Sequence, residues 1–294
     1  MLKPVIGFIG LGLMGDGFAR RLLATGHTVI GHDIAAAKVA AAAALGVVAA
    51  DNAAAVAARS DIVLTCLPTT QDLDAVALGA AGVASAGRLD GKILVDHSTA
   101  EIQATKRIAH ELMIRCGMDF VDAPVSGGPA AAAAGTLAIM AGGADAAIAR
   151  VRPTMEDLGR FTHMGGVGAG QATKLVNQTL VLTNYCVMAE ALRLAEAFGV
   201  DAAKIPQALA TGHAGSNLLP VLFERMIARD FAPKGYARQV LKDLEMLNDA
   251  ARSEHLAMPM SAQALTLFRM LVARGDGERD GAAVVELLPQ ARRS

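Results

Sequence analysis

Between Val5 and about Gly165, short apolar runs alternate with stretches of helical character, and beyond Gly165 the alternation stops. The strand-like runs are Val5–Gly10, Thr28–Asp33, Asp61–Leu67, Lys92–Asp96, Asp119–Asp122 and Leu137–Ala141. Strands separated by helices need crossover connections, which give a largely parallel sheet with helices on both faces. From Gln171 to Phe198 the chain has neither Pro nor Gly, carries apolar residues at helical spacing and meets a stop at Gly199, so one long helix is expected. Shorter helices follow, punctuated by Gly212, Gly215, Pro220, Pro233-Lys234-Gly235 and Pro259. The expected class is α/β: a doubly wound sheet over residues 1–165, then an all-α domain over 166–294 that begins with the long helix.

Bulk properties narrow the range of partners. A chain of 294 residues is long enough for two domains, and 53% hydrophobic with 3% aromatic and no Trp suits a helix-rich α/β protein packed with small aliphatic side chains. The Ala-rich stretches Ala35–Ala44 and Ala130–Ala134 are biased helix or loop composition and carry no repeat. Formal net charge is -1 and no block of Lys/Arg stands out except the short Arg292-Arg293 end, so no basic footprint for nucleic acid is expected. Mean hydropathy is +0.39, yet no run approaches the ~20 apolar residues of a membrane span. Met1-Leu2-Lys3-Pro4 enters a strand pattern at once, leaving no room for a secretory leader, and a cytoplasmic location is expected. Cys66, Cys116 and Cys186 lack C-x-x-C spacing and read as structural thiols.

The chemistry begins at Gly10-Leu11-Gly12-Leu13-Met14-Gly15, a G-x-G-x-x-G hexapeptide directly after the first strand and at the head of an amphipathic stretch. Gly10 allows a tight turn, Gly12 removes a Cβ where a pyrophosphate must approach, and Gly15 permits close helix–strand packing. The free N–H groups and positive dipole end of the helix would receive the pyrophosphate. Asp33 ends the second strand 18 residues after Gly15, near the ~20-residue interval of a ribose-binding acid. The first domain is therefore expected to be a Rossmann domain. A carboxylate at Asp33 repels a 2′-phosphate, and Ile34 and Ala35 offer no Arg to hold one, so NAD is the expected cofactor, with NADP second.

Ligands of open α/β sheets lie at the carboxyl ends of the strands. Cys66-Leu67-Pro68-Thr69-Thr70, Asp96-His97-Ser98-Thr99 and Asp122-Ala123-Pro124-Val125-Ser126-Gly127-Gly128 follow the third, fourth and fifth strands. Thr99 and Ser126 offer hydroxyls, and Gly127 and Gly128 expose backbone N–H groups suited to a carboxylate or amide, although all four also suit ordinary turns. Farther on, Lys174, Asn177 and Gln178 share one face in the first turns of the long helix. A lysine near a helix N-terminus and in a partly closed cleft gives up its proton more readily, since dipole and desolvation both disfavour its charge. Alone, a lysine on a long helix equally reads as a solvated surface residue.

Taken together, Gly7-Phe8-Ile9-Gly10-Leu11-Gly12-Leu13-Met14-Gly15, Leu67-Pro68, Asp122 through Gly128, Gly168-x-Gly170-x-x-x-Lys174-x-x-Asn177 and Lys242-Asp243-Leu244 resemble the β-hydroxyacid dehydrogenases, which include 3-hydroxyisobutyrate dehydrogenases and tartronate semialdehyde (2-hydroxy-3-oxopropionate) reductases. The resemblance runs nearly end to end. It implies an active site between a Rossmann and a helical domain, Lys174 as general acid/base, Asn177 orienting that lysine or the substrate, and Ser126-Gly127-Gly128 holding the substrate carboxylate. It also implies that Leu67, Pro68, Asp72, Thr99 and Lys242 touch the cofactor; without it, Lys242 in Lys242-Asp243 is an ordinary helix-surface pair. No metal is expected, because no H-x-E or paired-His signature occurs, and His97, beside the strand-end loops, reads as structural or peripheral.

The loop Gly212-His213-Ala214-Gly215-Ser216-Asn217 looks closer to the Ala-Gly-Ser loop of tartronate semialdehyde reductases than to the aromatic-containing loop of mammalian-type 3-hydroxyisobutyrate dehydrogenases, which nominates Ser216 as a substrate ligand. His213 and Pro220 depart from that pattern and leave the particular hydroxyacid open. Two alternatives stand beside this reading. Imine and other carbonyl reductases share the architecture but usually replace the helix lysine with Asp or Tyr, and a non-catalytic dinucleotide-binding scaffold would have lost it. A small hydroxyacid is the expected partner, in a homodimer or homotetramer.

Overall fold

In the computed structural model, residues 3–289 are described; Arg292 and Arg293, the terminal basic pair, lie outside them, as do Met1 and Leu2. The chain forms two compact units that part between Lys174 and Leu175.

The first unit runs β1 (Ile6–Ile9), α1 (Leu13–Ala24), β2 (Val29–His32), α2 (Ala36–Leu45), β3 (Val48–Ala49), α3 (Ala53–Arg59), β4 (Ile62–Thr65), α4 (Thr70–Leu78), β5 (Ile93–Asp96), α5 (Ile102–Cys116), β6 (Asp119–Asp122), β7 (Val125–Ser126), α6 (Gly128–Ala134), β8 (Leu137–Gly143), α7 (Asp145–Leu158) and β9 (Gly159–Gly165). Strands β3-β2-β1-β4-β5-β6 lie side by side and all parallel, the order of a doubly wound dinucleotide fold. Past β6 the sheet turns antiparallel, because β8 pairs antiparallel with both β6 and β7, and β9 then pairs parallel with β8.

The pleat explains why the central strands carry apolar residues on both faces. On β1, β4 and β5 the residues Ile6, Phe8, Ile62, Leu64, Ile93 and Val95 enter one core, while Ile9, Val63 and Leu94 enter a second core on the opposite face. A strand buried on both sides has no solvent face and so shows no polar alternation. The six expected strands are present: the first three are shorter at both ends, the fourth starts one residue later, the fifth has the expected bounds, and the sixth runs on two residues to Gly143. β3, β7 and β9 went unread: β3 is two residues inside an Ala-rich stretch, β7 is two residues after a proline, and Gly159-Arg160-Phe161-Thr162-His163-Met164-Gly165 is a half-exposed strand with glycine at both ends.

The long helix, α8, spans Ala169–Ala197, two residues longer at its start than Gln171 suggested. In the second unit α9 (Ile205–Leu209), α10 (Leu218–Ala228), α11 (Ala237–Ser253), α12 (Pro259–Leu271) and a 3-10 turn at Gly281–Leu287 follow. Their apolar faces, with Leu182, Leu192, Leu222, Phe223, Leu244, Phe268 and Val285 at the centre, form a third core. Arg225 is buried within this unit, where its Nη1 lies 2.7 Å from Asp280, whose Oδ2 also accepts from the backbone N–H groups of Lys234 and Gly235. No helix among the described residues is long and apolar enough to cross a membrane.

Candidate active site

The glycine turn connects β1 to α1. A Cβ on Gly10 would overlap the carbonyl oxygen of Cys66, and one on Gly15 would overlap the carbonyl oxygen of Gly10. Those two glycines serve packing within the protein. Gly12 differs, because a Cβ there would meet only Lys38 Nζ at 3.8 Å. Gly12 is also the N-cap of α1 and no side chain caps that helix, so its first N–H groups face the space that the missing Cβ leaves. Bare backbone, open space and a helix N-terminus together suit a pyrophosphate, so these residues fit a dinucleotide.

Asp33, just past β2, is buried, and both its oxygens are engaged. Oδ2 accepts from Leu11 N at 2.8 Å and Oδ1 from Ala35 N at 2.8 Å, so the carboxylate ties the end of the second strand to the glycine turn. Lys38 Nζ stands 3.6 Å from Oδ2. Sequence reasoning missed Lys38; its only signal was a lone cation five residues after the strand-end acid, reachable because α2 folds back beside that end.

The strand-end loops are laced together. Asp96 is fully buried; its Oδ1 accepts from Thr65 Oγ1 at 2.8 Å, Ser98 N at 3.0 Å and Ser98 Oγ at 2.6 Å, while its Oδ2 has no partner. Ser98 Oγ in turn accepts from Leu67 N at 2.8 Å. Thr99 lies half-buried in this loop, next to Ala100. Asp72 sits in the first turn of α4, capped by Thr69: its N–H donates to Thr69 Oγ1 at 3.0 Å, and that hydroxyl donates to Asp72 Oδ2 at 2.7 Å. His97 is buried with its ring stacked on Phe18, centroids 4.8 Å apart, and Nδ1 donates to the Ala123 carbonyl at 2.7 Å. Burial pulls its pKa down to about 4, so it is neutral and structural near pH 7.

Asp122, at the end of β6, pairs in register with Asp96 on β5. Burial pushes both carboxyls up to about 6, against the hydrogen bonds each accepts. Both folded values lie above the ordinary aspartate value of 3.8, so the folded chain holds these protons more tightly than the unfolded one. The stability they contribute is full below about pH 4 and is lost as pH rises through about 6. Asp96→Asn keeps the three donors on Oδ1 and removes the buried charge. We expect it to raise unfolding free energy at pH 8 by about 1–2 kcal/mol, the cost of ionising the buried carboxyl less the cost of a partnerless amide N–H. Denaturant midpoints at pH 8 and pH 4.5 check this; a gain of the same size at both would refute it.

After β6 the chain passes Pro124 to Val125 and Ser126 on β7. Gly127 and Gly128 follow with φ of +133° and +74°, and a Cβ on Gly128 would meet nothing within 4 Å. Lys174, on α8, is 7% exposed, and its Nζ donates to the Val125 carbonyl at 2.8 Å. The fold thus brings the helix lysine to the residue beside Ser126, a neighbourhood that 48 positions of sequence separate.

In the second unit, Asn177 Nδ2 donates to Gln178 Oε1 at 2.8 Å, Gln178 Nε2 donates to Asp243 Oδ2 at 2.6 Å, and Lys242 Nζ lies 3.0 Å from Asp243 Oδ1. A continuous polar chain therefore joins the α8 residue Asn177 to the Lys242-Asp243 pair of α11. Ser216 is exposed before α10, its hydroxyl accepting from Leu219 N at 3.1 Å. Among the described residues no three His, Cys, Asp or Glu side chains gather into a set that could hold a metal ion. Cys116 and Cys186 are buried and Cys66 is half-buried.

Comparison with known proteins agrees with this layout. The NAD binding domain of 6-phosphogluconate dehydrogenase matches residues 5–170, and the NAD-binding family of NADP-dependent 3-hydroxyisobutyrate dehydrogenase matches residues 168–288. The chain is 39% identical over 288 residues to a 2-hydroxy-3-oxopropionate reductase of Escherichia coli, covering 96% of each chain. It is 37% identical to a 2-(hydroxymethyl)glutarate dehydrogenase of Eubacterium barkeri, covering 97% of this chain and 95% of that one. The crystal structure of a 3-hydroxyisobutyrate dehydrogenase from Salmonella typhimurium superposes with a TM-score of 0.88 at 27% identity, over 97% of this chain and all of that one. Motifs, topology and relatives spanning almost the whole length converge: the chain belongs to the β-hydroxyacid dehydrogenase family of NAD(P)-dependent oxidoreductases.

Proposed function

We propose that the chain interconverts small 3-hydroxy acids and their semialdehydes, of the 2-hydroxy-3-oxopropionate or 3-hydroxyisobutyrate type, with Lys174 as general acid and base. The observation that carries this reading is the placement of a buried lysine amine, 2.8 Å from the Val125 carbonyl, one residue from Ser126-Gly127-Gly128. A buried amine donating to a backbone carbonyl beside that loop is placed to exchange a proton with a substrate oxygen. The Ser126 hydroxyl and the exposed backbone at Gly127 and Gly128 would hold the substrate carboxylate beside it. The nicotinamide, when bound, supplies or takes up the hydride. In reduction Lys174 delivers a proton to the oxygen that becomes the hydroxyl, and in oxidation it removes that proton.

On this reading residues 1–165 hold the dinucleotide, on the glycine turn, Asp33, Leu67, Pro68, Asp72 and Thr99. Residues 166–294 contribute Asn177, Ser216 and Lys242. The relatives named above carry different substrates in their names, so a panel of substrates is the direct test. Turnover of 3-hydroxyisobutyrate, glycerate, 4-hydroxybutyrate, serine and threonate would be followed by nicotinamide absorbance with NAD and with NADP. We expect one of the 3-hydroxy acids to exceed 4-hydroxybutyrate at least about tenfold in kcat/KM, a step of about 1.4 kcal/mol. Turnover confined to imines, or absent throughout, would end the proposal.

Cofactor choice follows from Asp33. Asp33→Ser with Ile34→Arg removes the carboxylate that repels a 2′-phosphate and supplies a guanidinium to hold one. The NADP-to-NAD ratio of kcat/KM should rise at least about 100-fold, by analogy with the worth of a charge-assisted pair gained and a repulsion lost. Since Asp33 also anchors Leu11 N, absolute activity with both cofactors will fall, and the ratio is the informative quantity. An unchanged ratio would refute the ribose role.

A further inference from the structure

The start of α8 has no capping side chain of its own, because the residue before Ala169 is Gly168. Asp122 supplies the missing cap from the sheet. Its Oδ1 accepts from Gly168 N at 2.7 Å and its Oδ2 from Gln171 N at 2.8 Å, across 46 and 49 residues of sequence. A carboxylate at the positive end of a helix, taking two backbone N–H groups, is a stronger restraint than an ordinary serine or asparagine cap.

Two glycines make the reach feasible. A Cβ on Gly142 would come within 2.7 Å of Asp122 Oδ1, and one on Gly170 within 2.9 Å of Oδ2. Gln171, 1% exposed, fixes the same helical turn to the loop after β5: Nε2 donates to Ser98 O at 2.9 Å, and Oε1 accepts from Ala100 N at 3.1 Å. Lys174 stands one turn along α8 from Gln171, and the carbonyl that receives its amine, Val125, stands three residues after Asp122. The helix that carries the lysine and the strand-end segment that receives it are thus joined at a single carboxylate.

We propose that Asp122, with Gln171 as its second anchor, is a positioning residue for Lys174: it sets where the first turns of α8 sit against the Val125-Ser126 segment, and through that where the amine sits. The inference rests on Lys174 being the acid/base group. Asp122 itself touches neither substrate nor cofactor in this scheme. A displacement of about 1 Å at the proton-transferring atom costs on the order of 100-fold in rate while leaving distant binding contacts alone.

The test compares Asp122→Asn, Asp122→Ala and Gln171→Met with the wild-type enzyme and with Lys174→Ala, measuring kcat, KM and cofactor dissociation constant on the full chain. Asparagine keeps an acceptor for one of the two N–H groups, alanine for neither, and methionine keeps the bulk of Gln171 without its two hydrogen bonds. We expect kcat to fall about 10-fold in Asp122→Asn and Gln171→Met and about 100-fold in Asp122→Ala. The cofactor dissociation constant should stay within about threefold in each. If Asp122→Ala does not fold, the other two variants carry the comparison. Unchanged kcat in folded Asp122→Asn and Gln171→Met, or a loss of cofactor affinity in step with kcat, would overturn the positioning role while Lys174→Ala still tests the acid/base role separately. Near-normal turnover by Lys174→Ala would overturn both.

Discussion

Lys174→Ala should lower kcat by about 10²–10⁴-fold, the usual worth of a positioned general acid or base, with the cofactor dissociation constant within about threefold of wild type. The two effects separate because the lysine amine donates to the Val125 carbonyl, whereas the glycine turn and Asp33 form their own cluster at the ends of β1 and β2. The substitution also removes a buried side chain and leaves a carbonyl without its donor, so a loss of about 1–3 kcal/mol in stability is expected alongside. A denaturation curve must therefore accompany the kinetics, to show that the assayed protein is folded. If the folded variant turned over substrate at a near-normal rate, the assignment of Lys174 would be wrong.

The second large effect divides the glycine turn into two functions. Gly15→Ala drives a Cβ into the Gly10 carbonyl oxygen and to 3.2 Å from the Phe8 ring, at a junction between α1 and the buried strand β1. Neither neighbour is the end of a flexible side chain, so α1 must shift, and we expect a loss of about 3 kcal/mol or outright failure to fold. Gly12→Ala meets only the tip of Lys38 at 3.8 Å, and its φ of -74° and ψ of -159° suit an alanine. That variant should keep its denaturant midpoint within about 0.5 kcal/mol and yet bind NAD at least about tenfold more weakly, because the methyl occupies space a pyrophosphate needs. Calorimetric titration of folded Gly12→Ala with NAD checks it. Wild-type affinity in that variant would mean that the pyrophosphate does not pass over Gly12.

What the sequence disclosed and what it withheld follow from range. The glycine turn, the strand before it and the acid after β2 lie within 33 residues, and local spacing was enough to place them. The doubly wound class was equally legible, since runs such as Ile6–Ile9 and Ile62–Thr65 have no polar alternation and must be covered on both faces. The second job of Asp33, holding Leu11 N, was not legible, because a carboxylate's partners are not written in its neighbours. The same holds for Asp122 and Gln171: each stood inside a motif, but the bonds from Asp122 to α8 and from Gln171 to the β5 loop span 46 to 73 residues. Ser216 was nominated from loop composition, and its hydroxyl proved to cap the start of α10, a use that short-range spacing to Leu219 could have suggested.

The carboxylate of Asp33 is gripped on both oxygens by backbone N–H groups within a buried strand end. A ligand docking there meets a side chain whose rotamer freedom was surrendered during folding, and so does not have to freeze it again. Preorganisation of this kind makes association less entropically costly, and it ties the geometry of this one acceptor to the integrity of the first β-α-β unit. Partial unfolding of that unit would therefore erase the docking point long before the remainder of the sheet came apart, so the readiness of the enzyme to take up its cofactor becomes a local gauge of order at the amino-terminal edge of the chain.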